Sequence, residues 1–486
     1  MKRLIALTVC FIILLGMFPT TAYALPTEQA DAIQRLLDDA VRISGTPGIS
    51  VAVISDNQTH FFNSGYTHRG NRNADTLVNE NTLYYIGSVS KSFTALGILL
   101  LEEQGLLSIT DRIEQHLPWF YVLYQNEVVA VTIQQLLNHA SGLTDANHQD
   151  APRGEGPDML RRTVEPLVGA RLDFAPGTQY IYGNANYNVL GLIIEAVTGQ
   201  SYESFMTEHV FIPLGLHDTF LYRSEALATG RMAQGHRRAF FRTFTYTVPI
   251  YGGMKPTGFI ISSAYDMARW MGIHLGLIHD IPEIFLPAIE RTQQADIYGQ
   301  SMGAGLYYSA GWIIRMYNPL LNHAGQTPNF TSELLLLPAE EQGILFLANC
   351  ISVNFDLVWW IASILGGDLQ QSYSRSERHI LDIMHSAFFL IAFIATVIEL
   401  IFSIRNRIKE KPQITKGKLI WTGLFSITAI IMAFRLFRIP SSMGAWSWTF
   451  AFDWGAPSTI ALTFIMPLFF AVTAWSYYTK NPKETK

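Results

Sequence analysis

Past Gly366 the chain stops reading like a protein that folds in water. Upstream, apolar segments are short and broken by Gly, Pro and Asn, as in a soluble domain. Downstream come three long apolar runs, near 381–404, 419–437 and 458–478. Each approaches the ~20 residues that a helix needs to cross a bilayer. The sequence therefore predicts a water-soluble domain over 25–375 followed by a membrane region over 376–486 with three spans. Composition agrees: charged residues make up 15% of the 486, against roughly 25% in globular proteins.

The charges between the runs orient them. Arg405, Arg407, Lys409, Lys411, Lys416 and Lys418 separate the first two spans, and Lys480, Lys483 and Lys486 follow the third. The stretch from Ile439 to Pro457 has no Lys or Arg and carries Trp446, Trp448 and Trp454. Positive loops stay in the cytoplasm, so the expected topology is a cytoplasmic first loop and C-terminus, with the tryptophan loop outside. The N-terminus fits the same picture. Lys2-Arg3, an apolar run from Leu4 to Phe18 and Ala22-Tyr23-Ala24 form an export signal cleaved after Ala24, residues 1–24. The domain is thus expected outside the cell membrane and next to it, with the lipid bilayer as one partner.

A net charge of -5 argues against nucleic acid as a partner. Of two cysteines, Cys10 lies in the signal and Cys350 follows an apolar run, so no disulfide framework is available and Cys350 reads as a buried thiol. No Cys/His cluster has zinc spacing, and neither a metal nor another cofactor is expected. Nothing in the sequence fixes an oligomeric state.

Within 25–365, Gly48 to Ile54 and His60-Phe61-Phe62 predict a hairpin turning at Asp56-Asn57. Trp312 to Ile314, Ser332 to Leu337 and Gly343 to Leu347 predict further strands, and the middle, from Ile86 to about His209, reads mostly as helix and loop. Strands at both ends with helices between predict an α/β (α+β) domain: one antiparallel sheet built from both termini, flanked by helices, plus a helical subdomain.

Where these parts should meet lies Ser88-Val89-Ser90-Lys91, at the start of a helix-like run to Leu101. Residues three apart share a helix face, so the lysine amine can reach the serine hydroxyl. A helix N-terminus also offers unpaired backbone N–H groups, which together with the amine would activate the serine as a nucleophile. Two later segments bear on this tetrad: Pro176-Gly177-Thr178-Gln179-Tyr180-Ile181-Tyr182-Gly183-Asn184, and His323-Ala324-Gly325-Gln326-Thr327-Pro328-Asn329-Phe330.

With these three motifs in order, and the helper segment Val131 to Leu143, residues from about Thr27 to Leu365 resemble the β-lactamase-related serine hydrolases (peptidase S12). That group includes class C β-lactamases, low-molecular-mass penicillin-binding proteins, and D-aminopeptidases or esterases of one fold. The resemblance implies Ser88 as nucleophile, with Lys91 and Tyr182 sharing the general-base role. A phenol is a poor base at neutral pH, but a neighbouring ammonium favours its ionised form. It further implies that Asn184 hydrogen-bonds Lys91 and a substrate amide, and that the backbone N–H groups of Ser88 and Gln326 form an oxyanion hole. Gly325 would allow the strand to approach the substrate closely. His139 reads as a structural histidine.

The third motif departs from the Lys-Thr-Gly of penicillin-recognising enzymes. His323 puts a group that is mostly neutral at pH 7 where they carry a permanent cation, which disfavours substrates ending in a carboxylate. The three following spans, Gly311-Trp312, and Trp454 to Ser458 also resemble the prodrug-activating peptidases of nonribosomal peptide pathways, such as the colibactin-maturing type. Those remove an N-acyl-D-asparagine cap outside the inner membrane. The positions that read the D-asparagine correspond here to Asn184, Met254 and Thr327, and Met254 offers no hydrogen bond, which weighs against that particular cap. The expected activity is hydrolysis, through an acyl-enzyme, of an amide in a small peptide-like substrate, D-amino-acid-containing or lipidated. A cell-wall D,D-peptidase or an esterase is the alternative within enzymes. A non-catalytic sensor of cell-wall fragments is the alternative outside them.

Overall fold

The computed structural model describes residues 25–70, 76–144, 151–296, 301–317, 319–409, 416–436 and 457–479. The export signal, most of the tryptophan loop and the C-terminal lysines lie outside the described residues.

An eight-stranded sheet organises the part of the chain before the long apolar helices. Its strands are β1 (Gly48–Ser55), β2 (Gln58–Gly65), β3 (Ser301–Gly303), β4 (Leu306–Ser309), β5 (Trp312–Arg315), β6 (Leu320–Gln326), β7 (Thr331–Leu337) and β8 (Gln342–Ala348). They run antiparallel in the order β3-β4-β5-β6-β7-β8-β1-β2, so the first two strands close onto the last. Ser55 pairs with Gln58 across Asp56 and Asn57, whose φ values of 51° and 58° place both in the left-handed region. Asp and Asn tolerate that conformation, and a two-residue turn of this hand matches strand twist. The hairpin therefore falls where its turn residues predict it.

Alternation on the central strands feeds two cores. Ile49, Val51 and Val53 of β1 pack on one side with Ile344 and Phe346 of β8. Helices α1 (Thr27–Ser44) and Leu357–Leu365 cover that side, α1 through Ile33, Leu36, Leu37 and Ala40. Ala52 and Ile54, with Leu345 and Leu347, face the larger core on the other side. Residues two apart point the same way, so each strand is apolar on both faces. α1 stops at Gly45, whose φ of 71° provides a left-handed cap and whose N–H bonds Val41 O.

The larger core contains α2 (Ser90–Glu103), buried continuously from Ser90 to Leu101. A helix apolar all round belongs in an interior, and Phe93 of α2 stacks on Trp270 at 3.9 Å between ring centroids. The middle of the chain is less purely helical than its sequence suggests. Leu83–Tyr85 pairs with Ile261–Ser263, and Val122–Tyr124, Glu127–Val129 and Ala170–Arg171 form a small three-stranded sheet. These strands are two or three residues long, too short to show an alternation in sequence. Cys350 is buried, and burial pushes its thiol up, as expected of an inert core cysteine.

Beyond the sheet, two described helices are long and apolar enough to cross a bilayer: Glu377–Arg405 and Pro457–Ser476. They pack on each other, and His385 Nδ1 lies 2.6 Å from Thr459 Oγ1. The helix between them, Lys416–Leu436, has a described apolar stretch of only Ile420–Ile431. Two helices rather than three thus meet the length requirement among the described residues.

Candidate active site

Ser88 lies in a 3-10 turn, Gly87–Val89, that leads directly into α2. The turn exists because Gly87 adopts a φ of 54°. A Cβ there would come within 2.2 Å of Gln326 N, so only glycine lets the end of β6 lie against the serine turn. Gly325 does the same from the opposite side: its Cβ would sit 2.1 Å from Ile86 O and 2.3 Å from Ser332 Oγ. Ser332 Oγ donates to Ile86 O at 2.7 Å and fixes that approach.

Lys91 follows three residues later, on the face of α2 that carries Ser88. Its side chain is completely buried, whereas Ser88, Tyr182, Asn184 and Gln326 are half-buried around it. Lys91 Nζ donates to Ser88 Oγ at 3.2 Å, Asn184 Oδ1 at 2.9 Å and Thr257 O at 2.7 Å. A buried ammonium is costly unless its donors are used, and here three acceptors receive them. Thr257 Oγ1 also donates to Asn184 Oδ1 at 2.8 Å. With its carbonyl oxygen held by two donors, the Asn184 amide has a defined orientation. The Tyr182 ring lies 4.8 Å from Lys91 Nζ. The four residues expected around the serine therefore converge, although Tyr182 and Asn184 are about ninety positions away in the chain.

His323 turns into the protein interior. It is buried on β6; its Nδ1 lies 2.7 Å from Ala324 O and its Nε2 2.9 Å from Tyr308 OH. The carbonyl can only accept, so Nδ1 carries the proton and Tyr308 donates to Nε2. Burial first, then the Lys91 charge, holds His323 down at about 3, so it is neutral at physiological pH. His139, at a left-handed φ of 53°, is also buried and held well below the usual histidine range by desolvation, with Lys91 and His323 adding to the effect. Its Nδ1 accepts from Gly183 N at 3.3 Å, and its ring packs 4.3 Å from Tyr182 and 4.5 Å from Tyr308. A neutral, aromatic-walled floor thus lies beneath the lysine.

Sequence reasoning missed Thr257 and Tyr308. Thr257 contributes a backbone carbonyl, which any residue could supply, and a hydroxyl on Asn184 from a segment with no motif of its own. Tyr308 is one tyrosine among 21. Of the positions tied to D-asparagine, Met254 is buried. Thr327 turns its hydroxyl inward, donating to Asn329 Oδ1 at 3.2 Å and accepting from Phe330 N at 3.1 Å.

A beta-lactamase family model matches residues 33–357, which span the sheet, the serine turn and the third motif. The chain belongs to the beta-lactamase family. Among curated proteins, this family member is similar to Protein flp of Staphylococcus aureus, strain MW2, 27% identical over 469 residues, covering 91% of this chain and 89% of that protein. It is also similar to penicillin-binding protein 4 of Amycolatopsis lactamdurans, 30% identical over 281 residues, covering 56% of this chain and 72% of that one. The octameric penicillin-binding protein homologue of Pyrococcus abyssi shares its fold with a TM-score of 0.61 and 24% identity, over 71% of this chain and 79% of that one. The D-alanine carboxypeptidase AmpC of Burkholderia cenocepacia aligns with a TM-score of 0.56 and 22% identity, over 71% of this chain and 99% of its own. The alignment with Protein flp runs beyond the family match and takes in residues C-terminal to the sheet domain.

Proposed function

We propose that this chain is a membrane-anchored serine hydrolase that cleaves an amide in a small peptide-like substrate through an acyl-enzyme. Ser88 Oγ attacks the carbonyl, and its proton passes to the Lys91–Tyr182 pair. The buried ammonium stabilises negative charge on whichever oxygen bears it. Backbone N–H groups of Ser88 and Gln326 take the developing oxyanion, and Asn184 orients the substrate amide. The lead observation is the contact of a fully buried Lys91 Nζ with the half-exposed Ser88 Oγ at 3.2 Å. Such a pair has little value as packing, because a buried charge costs stability that an apolar side chain would not.

The apolar helices Glu377–Arg405 and Pro457–Ser476 support membrane anchoring, and the three apolar runs of the sequence with the charge asymmetry of the loops support the reading of three spans, an exported domain over 25–375 and a cytoplasmic C-terminus. Such a location suits a lipidated or D-amino-acid-containing substrate near the bilayer. The D,D-peptidase reading draws support from the likeness to a penicillin-binding protein. Against it stands the neutral, interior His323, which offers no cation to a terminal carboxylate. The test is labelling of the full-length chain with a serine-directed fluorophosphonate, with Ser88→Ala as control. Labelling that requires Ser88 supports the hydrolase, and an unlabelled but folded wild type favours the sensor reading. Strong competition of that labelling by penicillin would move the assignment to the D,D-peptidase.

A further inference from the structure

The hairpin formed by His236–Ala239 and Arg242–Thr245 reaches from the sheet domain to the first long apolar helix. Where it folds against the end of α1 it encloses a cavity of about 400 Å3. Four arginines line this cavity, Arg42, Arg69, Arg238 and Arg242, with His68 beside them and no carboxylate among the lining residues. Two of the four are already engaged. Arg42 pairs with Asp39 at 2.6 Å, and Arg238 donates to Ser44 O at 3.3 Å while its Nε lies 3.6 Å from Asp382 Oδ2. Arg69 and Arg242 are exposed and have no hydrogen-bonded or ion-paired partner among the described residues. Thr243 Oγ1, bonded to Gly45 O at 2.8 Å, holds the hairpin on α1 and so fixes the cavity wall.

A second observation gives the cavity its setting. The tip of the hairpin is Phe240-Phe241, both in the left-handed region, and the Phe240 ring packs 5.3 Å from that of Phe389. Phe389 belongs to the apolar helix Glu377–Arg405 and lies seven residues past Asp382, about 10 Å along the axis. Phe240, Phe241 and Phe244 are 40%, 46% and 38% exposed. Three exposed aromatic rings beside uncompensated guanidinium groups form a surface with an apolar tip and a cationic shoulder, which is the profile of an interfacial element.

We propose that this cavity binds the phosphate headgroup of an anionic glycerophospholipid of the outer leaflet, with Arg69 and Arg242 on the phosphate and the Phe240–Phe241 tip among the upper acyl chains. The inference rests on the membrane reading above. Guanidinium groups match phosphate oxygens in paired geometry. The cavity is larger than a bare phosphate needs, and the aromatic tip would have no role with a soluble anion. A headgroup held here would fix the height of the hydrolase domain over the bilayer.

The experiment is native mass spectrometry of the full-length chain in a mild non-ionic detergent, titrated with phosphatidylglycerol, phosphatidylcholine or glycerol 3-phosphate. The wild type is expected to retain phosphatidylglycerol in preference to phosphatidylcholine. The R69Q/R242Q double variant should retain it roughly tenfold less, and Arg35→Gln, an exposed arginine of α1 outside the cavity, should behave as wild type. Fluorophosphonate labelling of each variant verifies folding independently of lipid. Equal retention by the double variant and wild type would overturn the proposal, as would displacement of the lipid by an equal concentration of glycerol 3-phosphate. Failure of the membrane reading shows separately, as a chain that stays monodisperse once detergent is withdrawn and before lipid is added.

Discussion

Replacing Gly325 with alanine should disable the site while leaving every candidate catalytic side chain in place. The added Cβ would lie 2.1 Å from Ile86 O, against an ordinary contact of 3.4 Å or more, so about 1 Å of separation must be created. Ile86 cannot provide it easily. Its carbonyl accepts from Ser332 Oγ at 2.7 Å and its N–H donates to Ile260 O at 3.0 Å. The displacement therefore falls on the end of β6, which carries Gln326 N away from the Ser88 turn. A shift of about 1 Å in a positioned group costs roughly 100-fold in rate, and overpacking of this kind costs about 1–3 kcal/mol of stability. For a domain of about 350 residues that corresponds to a Tm lower by about 1–4 °C. The assay is the rate of fluorophosphonate labelling, with Tm by scanning fluorimetry on the same preparations. Gly343→Ala on β8 serves as the control: its Cβ would meet Leu275 Cδ1 and Met271 Sδ at 3.2 Å and Met271 Cβ at 3.3 Å, side-chain contacts that a shift of a few tenths of an ångström relieves. Gly343→Ala should label within about threefold of wild type. If Gly325→Ala labelled equally fast, the close approach of β6 would not be what aligns the oxyanion site, and the reasoning would fail.

Two further substitutions test the supports around the site. Glu203→Gln removes the carboxylate 2.7 Å from Lys255 Nζ, which is only 4% exposed. Leaving that ammonium unpaired should cost about 3 kcal/mol, and because Lys255–Gly258 also holds the Thr257 carbonyl against Lys91, labelling should slow with the fall in Tm; an unchanged Tm would refute it. Glu333 is buried on β7, where desolvation pushes its carboxyl up to about 8 despite the bond from Asn322 Nδ2 at 3.0 Å. The folded state thus keeps a proton that the unfolded chain loses above its ordinary value of 4.5. Stability must then fall as pH rises from 4.5 to about 8, by at most ~1.4 kcal/mol per pH unit. Glu333→Gln should abolish that slope, so its Tm should gain on wild type across the window and stay level above it; a gap that narrows with rising pH would contradict the assignment.

The sequence was legible where local chemistry and tertiary demand coincide. Asp56-Asn57 marks a hairpin because those residues accept the left-handed turn it requires, and the strands from Trp312 onward show because apolar residues fill both faces. The serine tetrad is legible for a similar reason, since spacing of three is enforced by the helix itself. Thr257 was hidden because a carbonyl carries no side-chain signature, and Tyr308 because its role comes from reaching His323 from β4, two strands away across β5. Burial, reinforced by the Lys91 charge, makes His323 neutral; residue identity specifies only that it could titrate. The hairpin tip at Phe240-Phe241 escaped notice because two aromatics in succession read as strand, whereas both adopt positive φ.

The strand order has a consequence for how the chain is made. β1 is flanked by β2 and β8, with Ile49 pairing to Ala348. Until Ala348 has been synthesised, β1 and β2 form a lone hairpin with one open edge, an arrangement with little stability of its own and prone to adventitious pairing. Closing a contact that spans nearly the whole domain is slow. The sheet thus delays its own completion until almost all of the domain has emerged, and the first long apolar helix begins at Glu377, soon after. On the proposed exported topology, a translocation channel would receive a thread rather than a folded body, and the stop to threading would arrive just as the thread becomes able to fold.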